Sequence, residues 1–186
     1  MLAYVFWHIP APNTDRAHYE RLLIDFHKSL AAHAPPGFHS SLIFRTQNSP
    51  WVGNGAPAYE DWYVIENSSA LDPLNDFAIS GPRKAPHDLV ASLASSGAAG
   101  LYRLKSGSIE SMKHARHALW FSKPSISYDA FFARLRPQIE APQTTLWLRQ
   151  MVLSVAPEFC LRSATMPQLL PNIAATHCPI QAIHPV

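Results

Sequence analysis

Three polar residues stand at the ends of stretches that otherwise have the composition of buried strands: His8, Arg45 and Asp61. A histidine beside a carboxylate keeps one tautomer and can accept a proton near neutral pH. An arginine can hold an anionic group of a ligand through charge-assisted hydrogen bonds. These residue types predict a proton-transfer site in which His8 and Asp61 are catalytic and Arg45 anchors the substrate, provided that the fold brings them together.

The first half of the chain reads as strands and helices in a regular order. Aromatic and β-branched residues at alternating positions indicate strands, and apolar residues at helical spacing behind a capping residue indicate helices. Strands are predicted over residues 3–9, 38–46, 60–67 and 100–107, and helices over residues 13–34, from Asp72-Pro73 onward, and over residues 86–96. Residues 1–107 therefore have the order βαββαβ.

The second half repeats this order in a shorter form. The apolar run "YVFWHIP" at residues 4–10 has a counterpart in "ALWFSKP" at residues 118–124, and each precedes a helix-like pattern. Further elements are predicted as a helix over 128–139 behind Ser127, strands over 144–155 and 158–164, a helix over 166–175 and a strand over 180–186. We interpret residues 108–117 as a linker between a first unit, 1–107, and a second unit, 118–186.

The doubled order resembles the dimeric α+β barrel superfamily, a ferredoxin-like group in which two βαββαβ units place their sheets face to face. The resemblance rests on element order and implies an α+β fold of two tandem ferredoxin-like units with antiparallel sheets. It also implies a range of functions, because one fold hosts many activities. They include cofactor-free monooxygenases, muconolactone-isomerase-like enzymes, stress-related proteins, and haem proteins of the chlorite-dismutase and dye-peroxidase kind.

In such a fold, helices cover one face of each sheet and the other face lines the barrel, and residues along a strand alternate between the two faces. One alternating set of the first unit is wholly apolar and is expected under the helices: Val5, Trp7, Leu42, Phe44, Trp62 and Val64. The other set is mixed and is expected to line a pocket inside the barrel: Phe6, His8, Ser41, Ile43, Arg45, Asp61, Tyr63 and Ile65. Phe6 and Tyr63 are the predicted substrate-binding residues of that wall.

The sheet order implied by the resemblance places the third strand between the first two and antiparallel to both. This order gathers His8, Arg45 and Asp61 at one rim of the sheet, from which the loop over residues 47–59 leaves. Trp51 in that loop is expected to cover the opening and to bind substrate. The alternative is a structural Arg45–Asp61 salt bridge with His8 hydrogen-bonded nearby, because ion-pair clusters also arise for structural reasons.

Composition excludes several other classes of protein. The chain has 186 residues, of which 47% are hydrophobic, 11% aromatic and only 15% charged, which is typical of a folded protein and favours burial of some surface in a homodimer. A net charge of +2 provides no footprint for nucleic acid, and no run approaches the ~20 apolar residues needed to cross a bilayer. We therefore expect a cytoplasmic location. The two cysteines predict neither a disulfide framework nor a metal site.

These observations favour a small-molecule-binding barrel protein, with an enzyme acting on an apolar or aromatic substrate as the leading hypothesis. Two alternatives remain open: a non-catalytic oligomeric module for binding or assembly, and a haem-binding protein. No cofactor is predicted, with haem kept as the exception. Whether the protein is an enzyme at all is not decided by these residues.

Overall fold

The computed structural model describes residues 1–52, 57–151, 156–169 and 171–185. In the first half, the strands are β1 (Leu2–Pro10), β2 (Phe38–Thr46), β3 (Ala58–Ile65) and β4 (Ala94–Ser106), and the helices are α1 (Arg16–Ala32), α2 (Leu71–Ala78) and α3 (Lys84–Ser92). In the second half, the strands are β5 (His117–Phe121), β6 (Thr144–Arg149), β7 (Phe159–Ser163) and β8 (Ala175–Pro185), and the helices are α4 (Ile109–Lys113) and α5 (Tyr128–Ile139). None of the helices in these ranges is long and apolar enough to span a bilayer.

The eight strands form one closed antiparallel barrel in the order β1-β3-β2-β8-β5-β7-β6-β4. Within the first half the order is β4-β1-β3-β2, and within the second half it is β8-β5-β7-β6. The expected position of β3 between β1 and β2 is confirmed. A closed barrel leaves no unpaired sheet edge.

Two helix starts follow directly from local sequence. Asp15 caps α1, and its carboxylate accepts a hydrogen bond from the backbone N–H of His18 at 2.7 Å. Ser127 caps α5 in the same way, through a 3.2 Å bond from the backbone N–H of Ala130. Both caps satisfy backbone donors that the first helical turn leaves without partners.

Several predicted elements differ from the structure. The strands predicted over 100–107 and 180–186 begin earlier, at Ala94 and Ala175, and the strand predicted over 144–155 ends at Arg149. The helix predicted over 86–96 ends at Ser92, because Ala94 already begins a strand that pairs with β1. The interval predicted as a linker contains α4. The described residues of the helix predicted over 166–175 are not helical, because a second proline, Pro171, interrupts the pattern.

Parts of other predicted segments lie outside the described residues. These parts are residues 53–56 of the loop after β2, residues 152–155 of the predicted strand 144–155, residue 170 of the predicted helix 166–175, and residue 186 of the last strand.

The interior of the barrel holds the wholly apolar set, so the predicted assignment of the two sheet faces is wrong. Val5, Trp7, Leu42, Phe44, Trp62 and Val64 pack in one buried cluster with Ala118, Trp120, Trp147, Cys160 and Cys178 from the second half. An eight-stranded barrel is just wide enough for side chains to fill it, and bulky apolar residues do so here. The mixed set consequently faces outward, toward the helices.

One ion pair crosses this interior. Arg162 on β7 donates to Glu60 on β3 from Nη1 to Oε2 at 2.6 Å, and both side chains are fully buried. The indole N–H groups of Trp7 and Trp62 also donate to the Glu60 carboxylate, each at 3.2 Å. The guanidinium carbon lies 4.0 Å from the ring centroid of Phe44 and 4.7 Å from that of Trp62. The pair thus joins the two halves of the chain across the core.

Candidate functional site

His8 and Asp61 lie together on the outer face of the sheet, beneath α1 rather than inside the barrel. The Nε2 atom of His8 is 3.2 Å from Oδ2 of Asp61, and the two side chains are 1% and 4% exposed. Their proximity agrees with the sequence-based expectation. Their location corrects the predicted pocket, because the sheet face that carries them is the one that α1 covers.

Helix α1 adds two side chains to this pair. The hydroxyl of Tyr19 lies 2.7 Å from Nδ1 of His8. The Nε2 atom of His27 lies 3.6 Å from Oδ2 of Asp61, and its Nδ1 atom lies 2.8 Å from Oγ of Ser41 on β2. The carboxylate is therefore flanked by two imidazoles, each of which is held through its other ring nitrogen by a hydroxyl group.

Tyr63 completes the group through its hydroxyl, which donates to Oδ2 of Asp61 at 3.3 Å. His8, His27 and Tyr63 thus all approach the same carboxylate oxygen. The other oxygen, Oδ1, is buried and has no hydrogen-bond partner among the described residues, and the Nε2 atoms of both histidines also lack an aligned hydrogen bond there. Buried polar atoms without partners are uncommon in folded proteins and require an explanation.

Sequence reasoning missed Tyr19 and His27 as site residues. The sequence does contain a signal for them. His27 follows Leu23 by one helical turn and Tyr19 by two, and these positions form the buried face of α1. A polar residue on an otherwise apolar helix face needs a partner on the sheet, and Asp61 provides it.

The electrostatics of the group favour an ionised carboxylate between neutral phenols. Burial by itself would raise the pKa of Asp61, but the adjacent imidazoles of His8 and His27 hold that pKa well below its ordinary value of 3.8. Burial, together with the charge of Asp61, raises the pKa of Tyr19 and of Tyr63 far above the usual value of 10.0. Both phenols therefore remain protonated and can act as hydrogen-bond donors at neutral pH.

Two adjoining cavities open beside this group, between the outer face of the sheet and the helices. The inner cavity, of about 340 Å³, has His8, Asp61, Tyr19 and Tyr63 in its wall. The outer cavity, of about 620 Å³, lies under α2 and has a mainly apolar lining. Both are partly lined by Phe6, Phe26, Tyr63 and His87. The predicted binding residues Phe6 and Tyr63 are therefore placed at the junction of the two cavities.

Arg45 is not part of either cavity wall. Its guanidinium donates to Oε1 of Glu20 from Nε at 2.9 Å, and to Oε1 of Gln181 from Nη1 at 2.8 Å. It therefore forms neither the predicted anchor in these cavities nor the alternative salt bridge with Asp61. The reason is that α1 places the carboxylate of Glu20 over the same sheet face, and this carboxylate pairs with Arg45.

Trp51 also lies elsewhere than predicted. Its ring stacks on Trp7 with a centroid separation of 3.9 Å and meets the ring of Trp120 edge-on at 4.5 Å. Its indole N–H donates to the backbone carbonyl of Ala156 at 3.2 Å. Because Trp7 faces the interior, Trp51 packs against the barrel core and does not cover the cavity beside His8.

The ring of Phe6 leaves no space for a side chain at Gly97 on β4. A methyl group at Gly97 would lie 2.5 Å from Cζ of Phe6 and 3.1 Å from the carbonyl oxygen of Trp7. We expect Gly97→Ala to lower the free energy of unfolding by about 1–3 kcal/mol through overpacking. Urea unfolding measures this loss, and Phe6→Leu in the same chain should recover part of it. A Gly97→Ala protein as stable as the parent would contradict this packing.

The described residues of the site fit neither a metal ion nor haem. Across the residues that the structure describes, no group of three or more histidine, cysteine, aspartate or glutamate side chains could hold a metal ion. Haem, which the fold resemblance implies as one possibility, needs an axial ligand and cationic partners for its propionates. His87 is the one imidazole of the described outer-cavity lining, but that lining carries the carboxylate of Asp72 and no lysine or arginine. It does not fit haem, and we derive no step through it.

The architecture defines the class of the protein as an α+β barrel with an antiparallel eight-stranded sheet and helices on its outer face. The same fold occurs in an anthrone oxidase-like protein (TM-score 0.56, 8% identity, 100% of this chain and 92% of that chain covered). It also occurs in a candidate monooxygenase from Lactobacillus acidophilus NCFM (TM-score 0.59, 9% identity, 99% and 95% covered). A candidate chlorite dismutase is less similar, with a TM-score of 0.45, 13% identity, and 89% and 81% covered.

No protein-family model matches this chain, and no curated protein matches it either. The likeness to the first two structures supports the expected α+β barrel fold. At identities of 8% and 9%, the likeness shows the fold alone.

Proposed function

We propose that the protein is an enzyme of the dimeric α+β barrel superfamily, built from two tandem ferredoxin-like units. The strand orders β4-β1-β3-β2 and β8-β5-β7-β6 support two units of the same topology. The similarity in fold to an anthrone oxidase-like protein and a candidate monooxygenase supports an enzyme of small organic molecules. The remaining support comes from the site itself.

The substrate of this enzyme is a small apolar molecule that lies in the two cavities beneath the helices. The outer cavity, with a mainly apolar lining, suits the body of such a molecule, and the inner cavity brings one end of it to His8 and Asp61. The reaction begins with transfer of a proton from the substrate to Oδ1 of Asp61, while the ring N–H of His8 donates a hydrogen bond to the substrate oxygen on which negative charge develops. The observation that carries the proposal is the buried Oδ1 atom of Asp61, which lacks a hydrogen-bond partner in the described part of the chain and belongs to a cavity-lining residue.

An assay with a simple ketone, for which the natural substrate need not be known, tests this proton transfer. In D₂O, 2-tetralone exchanges the acidic C–H protons beside its carbonyl group, and NMR follows the loss of the proton signal. The C–H bond breaks, its electron pair stays on the ketone as an enolate, and the proton moves to the enzyme. We expect exchange faster than in buffer alone, and His8→Ala should slow the enzymatic part about 100-fold or more.

His18→Ala is the matched control, because His18 lies on the exposed side of α1, away from both cavities. It should exchange 2-tetralone at the parental rate. Exchange that never exceeds the buffer rate, or that is equally fast in parent and His8→Ala protein, would contradict the proposed function. Circular dichroism establishes that each variant is folded.

A neutral dye locates the binding site independently. Nile red should bind the parent and gain fluorescence, and Ala78→Phe, which narrows the outer cavity, should weaken this binding about tenfold. Ala133→Phe on the exposed face of α5 is the control for adding an aromatic ring and should bind as the parent does. Equal binding by all three proteins would place the dye outside the proposed cavities.

A further inference from the structure

Two wall residues of the inner cavity carry buried polar atoms that lack hydrogen-bond partners among the described residues. They are His8, whose Nε2 atom has no aligned hydrogen bond there, and Asp61, whose Oδ1 atom has none. Both side chains are more than nine-tenths buried. Leaving such atoms without partners costs free energy, so a ligand that satisfies them gains affinity.

The contacts of His8 on both ring nitrogens determine which of these atoms is the donor. The ionised carboxylate of Asp61 can only accept and lies 3.2 Å from Nε2, so Nε2 carries the ring hydrogen and Nδ1 accepts from the Tyr19 hydroxyl at 2.7 Å. Ser41 lies at 2.8 Å from Nδ1 of His27 and can hold that imidazole in the same tautomer. Tyr19 and Ser41 are therefore positioning residues, which act through the two histidines.

Asp61 presents the complementary acceptor. Tyr63 donates to its Oδ2 atom, and both imidazoles approach that same oxygen, which leaves Oδ1 for a ligand. The inner cavity thus combines one N–H donor on His8 with one carboxylate acceptor on Asp61. The described lining of this cavity contains no lysine or arginine, and Arg45 is bound to Glu20.

We propose that the inner cavity recognises a neutral hydroxyl group on an apolar molecule, which donates its hydrogen to Oδ1 of Asp61 and accepts one from Nε2–H of His8. A hydroxyl group can donate and accept at once, and it carries no charge. A carboxylate has no hydrogen to donate and is repelled by ionised Asp61. A methyl group of similar size satisfies neither atom. This inference rests on the proposed function and deepens it by naming the recognised group.

Three ligands that share one ring system test the inference with the unmodified protein. Calorimetry compares 2-naphthol, 2-methylnaphthalene and 2-naphthoate at neutral pH. We expect 2-naphthol to bind about 10- to 100-fold more tightly than 2-methylnaphthalene, the range that a charge-assisted hydrogen bond provides. The naphthoate anion should bind most weakly of the three.

Asp61→Asn should reduce the preference for 2-naphthol over 2-methylnaphthalene about tenfold, whereas Asp25→Asn on the exposed side of α1 should preserve it. Equal binding of the hydroxyl and methyl compounds, or tighter binding of the anion, would overturn the inference. Because the 2-tetralone and Nile red assays do not depend on a hydroxyl group, the proposed function would survive that result. Failure of those two assays would instead remove the proposed function.

Discussion

Arg162→Met is expected to lower the free energy of unfolding by about 3–5 kcal/mol, because it leaves the Glu60 carboxylate charged, buried and without its cationic partner. The methionine fills much of the same volume, so the loss reflects the unpaired charge more than a cavity. Guanidinium chloride unfolding, followed by the fluorescence of the tryptophans in the barrel core, measures the change. Arg136→Met is the control, since Arg136 is 70% exposed and its ion pair with Glu140 lies at the surface.

A second substitution separates charge from packing in this core. Glu60→Gln in the Arg162→Met protein removes the unpaired charge and keeps an amide oxygen for one of the two indole N–H groups, which donate to different oxygens of the carboxylate. We expect the double variant to recover part of the lost stability. If Arg162→Met alone were as stable as the parent, the ion pair would not be needed to compensate the buried carboxylate. If Glu60→Gln added to the loss, the unpaired charge would not be its cause.

Asp61→Asn is expected to destabilise the fold by about 3 kcal/mol at neutral pH, because it removes a buried charge that His8 and His27 stabilise. The effect depends on pH with a definite sign. The pKa of Asp61 in the folded protein lies below 3.8, so the carboxylate contributes stability above that pH. The contribution is lost as the pH falls from about 3.8 toward the lower folded-state value.

Comparison of parent and variant cancels the titration of groups that do not contact Asp61. Urea unfolding at a series of pH values should show a constant difference between the two proteins down to about pH 4, and a shrinking difference below it. Asp25→Asn, at an exposed position of α1, should stay within about 0.5 kcal/mol of the parent throughout. A difference that is the same at pH 3 and pH 7 would show that the carboxylate is not held ionised by its neighbours.

The order of elements was largely predictable, because local patterns report local structure. Asp15 and Ser127 begin their helices, and the alternating strands of the first half lie where the aromatic and β-branched residues predict them. The strand that begins at Ala94 was not predictable in this way. Its Ala, Ser and Gly residues have weak strand preference, and pairing with β1 determines its conformation.

The site was predictable only in part. Alternation along β1 and β3 placed His8, Asp61, Tyr63 and Phe6 on one face, and the structure keeps them there. The prediction of which face lies inside the barrel was wrong. In this chain the apolar face fills the closed barrel, and the mixed face contacts polar residues of α1. Arg45 could not be assigned from strand patterns either, since its partner Glu20 comes from the helix that covers the sheet.

The amino-acid sequence by itself determined α1, α2, α3 and α5, most strands, and which residues share a face of each strand. These features depend on interactions within a few residues, such as caps and side-chain alternation. Only the tertiary structure decided that the barrel closes over its tryptophans and that Tyr19 and His27 meet His8 and Asp61. The physical reason is that face, partner and cavity depend on contacts between distant segments, and those contacts are set by packing of the whole core.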